Sequence, residues 1–151
     1  IKWLNMMRNK IGLSKSEDKD KFLIVDLLTW MHQKKADYTN TFCYLMNEVI
    51  QKEEIYKDND FLNWKKRWEV RLKSEDKTPD QYLKLMKTFN PFIIPRNHKV
   101  EEVLRAAEKD DLKPLTKLIE ILKKPYLNQK NVIDYQIPSN SNENYQTFCG
   151  T

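Results

Sequence analysis

Glycine occurs only twice in these 151 residues, at Gly12 and Gly150. That excludes a glycine-rich phosphate loop within the chain, because such a loop needs clustered glycines to bring backbone N–H groups onto a phosphate. Cysteine is as scarce. Cys43 and Cys149 are too few for a disulfide scaffold, and no CxxC pair is present. Histidine is limited to His32 and His98, with no HExxH, so a zinc site of the usual spacing is excluded. No GxSxG occurs, and no Ser-His-Asp set can be assembled. Apolar runs stay well short of the roughly 18 residues of a membrane span. The opening "IKWLNMMRNK" lacks the apolar stretch and small-residue cleavage site of a signal peptide. These absences predict an intracellular, mostly reduced protein that does not enter a membrane.

What is present is helical spacing. The apolar fraction is 40% and the charged fraction 32%, a composition of globular rather than disordered chains. The length suits one domain or part of a larger one, and a first residue Ile1 in place of Met predicts a piece of a longer protein. A first helix runs to a stop near Gly12, the usual C-terminal punctuation. Leu23, Ile24, Leu27, Leu28, Trp30 and Met31 give a second helix. "ADYTNTFCYLMNEVI" gives a third, with Asp37 or Thr39 as N-cap. Phe61, Trp64, Trp68 and Leu72 then form one apolar stripe on a helix from about Asp60 to Ser74. Thr78 followed by Pro79 marks the start of another helix.

Between the helices lies "NPFIIPRNHKV", residues 90–100. Pro91 and Pro95 push the residues before them out of helical geometry, so 90–95 reads as an extended joint. Its apolar triplet, Phe92, Ile93 and Ile94, is expected to lie on the core. Asn97 is a candidate cap for the next helix, whose apolar face is Val100, Val103, Leu104 and Ala107. Asp110 or Asp111 and then Pro114 open a further helix, with Leu115, Leu118, Ile119 and Leu122 on one face. The expected architecture is all-α, with about seven helices over residues 1–124 and an irregular, extended tail over 125–151. Trp30, Trp64, Leu104 and Leu118 are expected to be buried.

Two stretches invite a functional reading. "NWKKRWEVRLK" interleaves basic and aromatic residues, a combination found at nucleic-acid surfaces, and the net charge is +5. The tryptophans share the apolar stripe, however, so the expected arrangement is a core face with a solvated basic back. His98 has Glu101 and Glu102 within a turn, a spacing that can share a metal. With no further histidine nearby, the reading is a structural His98 that hydrogen-bonds backbone or a carboxylate, and no metal. Arg96 can hold a carboxylate bidentately. Glu53 and Glu54 read as solvated charges.

The stretch from Asn90 to Tyr126, together with "ADYTNTF" at 36–42, "NWKKRWEVRL" at 63–72, "YLNQ" at 126–129 and the terminal "NYQTFCGT", resembles the C-terminal region of the selenoprotein O (SelO) family. The resemblance implies a parent enzyme with a kinase-like core that transfers AMP from ATP to Ser, Thr or Tyr hydroxyls of proteins, using magnesium. None of that core's catalytic, nucleotide or metal residues maps onto this chain, so no catalytic residue is carried over, and the chain alone is expected to hold no cofactor. Pro95, Arg96, Asn97, His98, Glu101 and Glu102 carry the family signature and are expected to be structural, with contact from Arg96 or His98 to the catalytic domain as the alternative. The partners implied are that kinase-like domain of the same protein and the enzyme's protein substrates. Cys149 is the redox-regulatory candidate, since the family places cysteine or selenocysteine near its end. A bacterial cytoplasm is the expected location, or a mitochondrion in a eukaryote. The competing reading is a free-standing basic helical module that binds nucleic acid or an acidic protein.

Overall fold

Gly12 closes the first helix in the left-handed region, at φ +83°, and a Cβ there would meet Leu72, Met86 and Tyr82 at 3.3 Å. Both the backbone angle and the space therefore require glycine. The fold is known from a computed structural model, which describes residues 2–48 and 54–139. Its helices are α1 (Lys2–Lys10), α2 (Asp20–Lys34), α3 (Tyr38–Leu45), α4 (Asn59–Lys73), α5 (Pro79–Phe89), α6 (Asn97–Ala107), α7 (Lys113–Leu122) and α8 (Ile133–Gln136), with a 3-10 turn at Glu54–Lys57 before α4. No strand occurs among the described residues. The all-α expectation holds. The short α8 lies where only irregular chain was expected.

The predicted caps mostly form. Asp37 accepts the Asn40 N–H at 2.8 Å and is the N-cap of α3. Thr78 and Gln81 make a reciprocal capping box ahead of α5, with Pro79 at its first position. Asn97 does not cap α6. Arg96 holds the N-cap position without a side-chain cap bond, and Asn97 is the first helical residue. At α7 the N-cap is Leu112, although Asp111 does accept the Lys113 N–H at 3.1 Å.

The main core lies among α1 to α5. α1 packs on α5 and on α2, and α2 packs against α4. An aromatic spine runs through it: Trp30 sits 4.6 Å from Phe61, Phe61 5.8 Å from Trp64, and Trp64 5.8 Å from Trp68 between ring centroids. Trp64 and Trp68 are buried, as the stripe predicts, and each indole N–H finds a carbonyl at 2.8 Å, of Leu23 and Ile11 respectively.

The second layer is thinner. α6 and α7 pack on one another, with Val103 and Leu118 buried between their neighbours. Leu104 corrects the sequence reading: it is 51% exposed. Ile119, on the apolar face of α7, is 46% exposed. A helical stripe wider than the surface packed against it leaves its edge in water, and here Leu104 and Ile119 are that edge.

Candidate functional site

Residues 90–96 form no helix, and the side chains of Asn90 and Arg96 are bonded within the chain. Asn90 is buried at the ends of two helices. Its amide donates to the Lys10 carbonyl at 2.8 Å, an otherwise orphaned acceptor at the C-terminal end of α1, and at 2.9 Å to the Met86 carbonyl of α5, which also accepts the Asn90 backbone N–H. Its carbonyl accepts from Lys10 Nζ at 3.1 Å. That ammonium also lies 4.9 Å from the centre of the Phe42 ring, and burial lowers its pKa. Phe92 and Ile93 are buried and donate their N–H groups to the Pro125 carbonyl, at 2.8 and 3.3 Å. Ile94 is half-buried.

Arg96 reaches across to α3. Its two terminal nitrogens take the Asp37 carboxylate at 2.8 and 3.0 Å, and the second also reaches the Asn40 side-chain oxygen at 3.3 Å. Arg96 is buried, and its Nε has no partner among the described residues. The Asp37 carboxylate therefore caps α3 and holds the residue that starts α6. Asn40 in turn donates to the Gln136 carbonyl at 3.4 Å, which brings α8 onto the same knot. Two stretches 59 residues apart, "ADYTNTF" and "IPRNH", thus meet through one bidentate ion pair.

The remaining predicted residues of this motif stand apart. Pro95, Asn97 and Glu102 are exposed, and Glu101 and His98 are half-buried. The expected side-chain hydrogen bond of His98 is not made to any described residue. Glu102 pairs with Lys99 at 2.9 Å rather than with His98. Among the described residues no group of His, Cys, Asp and Glu is placed to hold a metal ion. Cys149 lies outside the described residues. Cys43 is a buried free thiol, pushed up to about 12 by burial and by the negative charges of Asp37 and Glu48, and so is held in its unreactive form.

A second polar knot escaped the sequence reading. Arg71, expected on the solvated back of the tryptophan helix, is turned inward. It donates to Asp20 at 2.8 Å, to Glu75 at 2.7 Å and to the Lys15 carbonyl at 3.0 Å. Arg8 takes the other Asp20 oxygen at 2.7 Å. Glu75 is 1% exposed and also accepts from the N–H and hydroxyl of Ser14, each at 2.7 Å, and from the Lys15 N–H. Burial alone would raise its pKa, but these donors outweigh it and bring Glu75 down to about 2. The one signal in the sequence was the i,i+4 spacing of Arg71 and Glu75. Asp58, the N-cap of α4, is likewise held at about 2, by Lys34 and then by the Trp30 indole N–H.

The basic-aromatic stretch has no stacking platform to offer. A base needs an open aromatic face, and Trp64 and Trp68 are both buried. In "YLNQ", Asn128 donates to Glu48 at 2.7 Å, and Gln129 donates to the Ile121 and Lys124 carbonyls at the end of α7.

Comparison with known proteins places these stretches. A family model described as protein adenylyltransferase SelO matches residues 1–123. The chain is 51% identical over 151 residues to a protein of Pelagibacter ubique (strain HTCC1062) named protein nucleotidyltransferase YdiU; the match takes 99% of this chain and 31% of that protein. Proteins of the same name from Alcanivorax borkumensis and Clostridium perfringens (strain 13 / Type A) are 44% and 41% identical, again over 99% of this chain and 31% of theirs. The chain thus spans less than a third of the length of the curated relatives it matches.

Proposed function

Because the chain belongs to the SelO family, we propose that it is the C-terminal helical portion of a protein adenylyltransferase, serving as a structural and regulatory partner of a kinase-like part of the same polypeptide. In the reaction proposed for the whole enzyme, a Ser, Thr or Tyr hydroxyl of a protein attacks the α-phosphorus of ATP. The hydroxyl loses its proton, the α–β bridging bond breaks, and pyrophosphate leaves. ATP and magnesium are held by the kinase-like part, since such chemistry rests on positioning and charge neutralisation by groups that fix the phosphates. The location proposed is the bacterial cytoplasm. Among the described residues no helix is long and apolar enough to cross a membrane.

One observation carries the structural part of this reading. Two arginines of the family stretches are spent on carboxylates inside the chain: Arg96 on Asp37, and Arg71 on Asp20 and Glu75. Groups already paired and buried fix the path of the chain and are not free to bind a phosphate. The regulatory part rests on Cys149 and is a proposal from the family resemblance. Its thiol forms a disulfide with a cysteine of the kinase-like part, two electrons and two protons passing to a thiol oxidant.

The test uses labelled ATP, magnesium and a protein acceptor. The chain alone is expected to give no transfer of AMP, whereas the full-length Pelagibacter relative gives transfer that is lost when its matching segment is removed. Transfer by the chain alone overturns the proposal. For the thiol, peptide mapping of the full-length protein under oxidising conditions is expected to find Cys149 in a mixed peptide, and a free Cys149 there refutes the regulatory role.

A further inference from the structure

The two most exposed large apolar side chains among the described residues are Phe22 and Val70, each 68% exposed. They belong to different helices, α2 and α4, yet line the same groove, a space of about 580 Å³ with buried Leu23 also in its wall. Among the charged residues lining it, all but Lys19 are already paired. Arg67 holds Asp26 at 2.8 Å, and Arg71 holds Asp20 at 2.8 Å. The groove therefore offers apolar contact between rims whose charges, Lys19 apart, are paired, which is the make-up of an interface core with its polar edge.

We propose that the α2–α4 groove is the docking surface for the kinase-like part of the same polypeptide, which places an apolar side chain, flanked by uncharged polar groups, between Phe22 and Val70. This rests on the reading of the chain as one portion of a larger SelO protein. The observation that selects this occupant is the extent of the match: nearly all of this chain aligns, but it accounts for only 31% of the relatives' length. The greater part of such a polypeptide has to meet this module somewhere, and contacts between parts of one chain bury about 600–1,500 Å². Largely paired rims also suit a partner that is always present, since little charge is left to steer its approach.

Thiol labelling tests the proposal. Val70→Cys and, separately, Leu104→Cys are placed in this chain and in the full-length Pelagibacter relative whose matching segment has been replaced by this chain. Both positions are exposed, so the substitutions leave the fold intact. Labelling by iodoacetamide is followed site by site by mass spectrometry, which separates these thiols from Cys43 and Cys149. The expected result is fast labelling of both in the isolated chain, and slowing of V70C by about tenfold or more in the full-length protein while L104C is unchanged, as a water-excluding interface predicts. A cysteine at the matching position of the unaltered relative repeats the measurement if the graft disturbs folding. Equal labelling of V70C in both proteins overturns the groove. If L104C slows instead, the partnership stands and only the surface is wrong. If neither slows, and amide exchange across the module is the same alone and in the full-length protein, the partnership itself fails. Slowing of V70C in the isolated chain as its concentration rises makes a second copy the occupant and also overturns the proposal.

Discussion

The helices α1 to α5 and the α6–α7 hairpin are both written as clear apolar stripes, yet they use those stripes differently. In the first region the stripe of α4 is covered along its length. Phe61, Trp64, Trp68 and Leu72 are all buried, and the polar groups among them are bonded. In the hairpin, Val103 and Leu118 are buried, but Leu104, Leu112 and Ile119 stand in water. An apolar stripe fixes that a helix forms and which way it faces. How much of the stripe is covered depends on how many neighbours arrive, and that is a property of the assembly.

The comparison breaks most visibly at the spine. Trp64→Ala removes ring contacts to Phe61 and Trp68 and leaves the Leu23 carbonyl without its donor. A loss of about 3–5 kcal/mol is expected, the range for large-to-small changes of a buried aromatic. Urea unfolding followed by tryptophan fluorescence and circular dichroism checks it. A loss below about 1 kcal/mol, no more than a typical point substitution costs, would show that the spine is not the centre of the fold.

Next comes the ion network. Arg71→Met leaves Glu75 buried without its cation, and Asp20 with Arg8 and the Glu17 N–H. Removing one partner of a buried pair costs about 3–5 kcal/mol in general, and the surviving Arg8 and Ser14 bonds put the expectation at the lower end. The same knot sets a pH dependence. Glu75 has its folded pKa depressed from 4.5 to about 2. Its contribution is therefore fully present above the unfolded value and is lost as pH falls from about 4.5 toward 2. Asp58 is depressed from 3.8 to about 2 and adds to the same acid limb. Stability measured from pH 6 to pH 2 is expected to fall with a slope that Glu75→Gln makes shallower. An unchanged slope in that variant would remove Glu75 from the account.

Much of the first region was legible in the chain. The stripe, the Asp37 and Thr78 caps, the Gly12 stop and the proline joint each follow from local rules, because each depends on residues within a few positions. The Arg96–Asp37 pair and the Asp20–Arg71–Glu75 knot were not legible. The Arg96–Asp37 and Arg71–Asp20 contacts join residues more than fifty positions apart, and nothing local distinguishes a buried arginine from a solvated one. Arg71 illustrates the limit: its helical position placed it on the charged back, and only the loop at Ser14 and Lys15, folding over it, turns that position into an interior. His98 shows the converse. It sits in the most distinctive motif of the chain, and the polar work there is done by its neighbour Arg96. The α8 turn was missed because its four residues are too few to show a period.

The smallest expected effects lie in the hairpin, and they sharpen the comparison by setting one face against the other. Leu118→Ala removes a buried side chain from the α7 face and is expected to cost about 2–3 kcal/mol. Leu104→Ser changes a residue that is half in water and is expected to move stability by no more than about 0.5 kcal/mol, as substitutions away from packed or paired groups do. Helix propensity favours leucine over serine by a few tenths of a kcal/mol, so the sign should be slightly destabilising. Urea midpoints of the two variants measured side by side decide the matter. If Leu104→Ser costs as much as Leu118→Ala in the isolated chain, the stripe is covered and the difference between the two regions disappears. If it costs little in the isolated chain but much more in a full-length SelO protein, Leu104 is a contact to the rest of the polypeptide, and the thinness of the hairpin layer belongs to this chain alone.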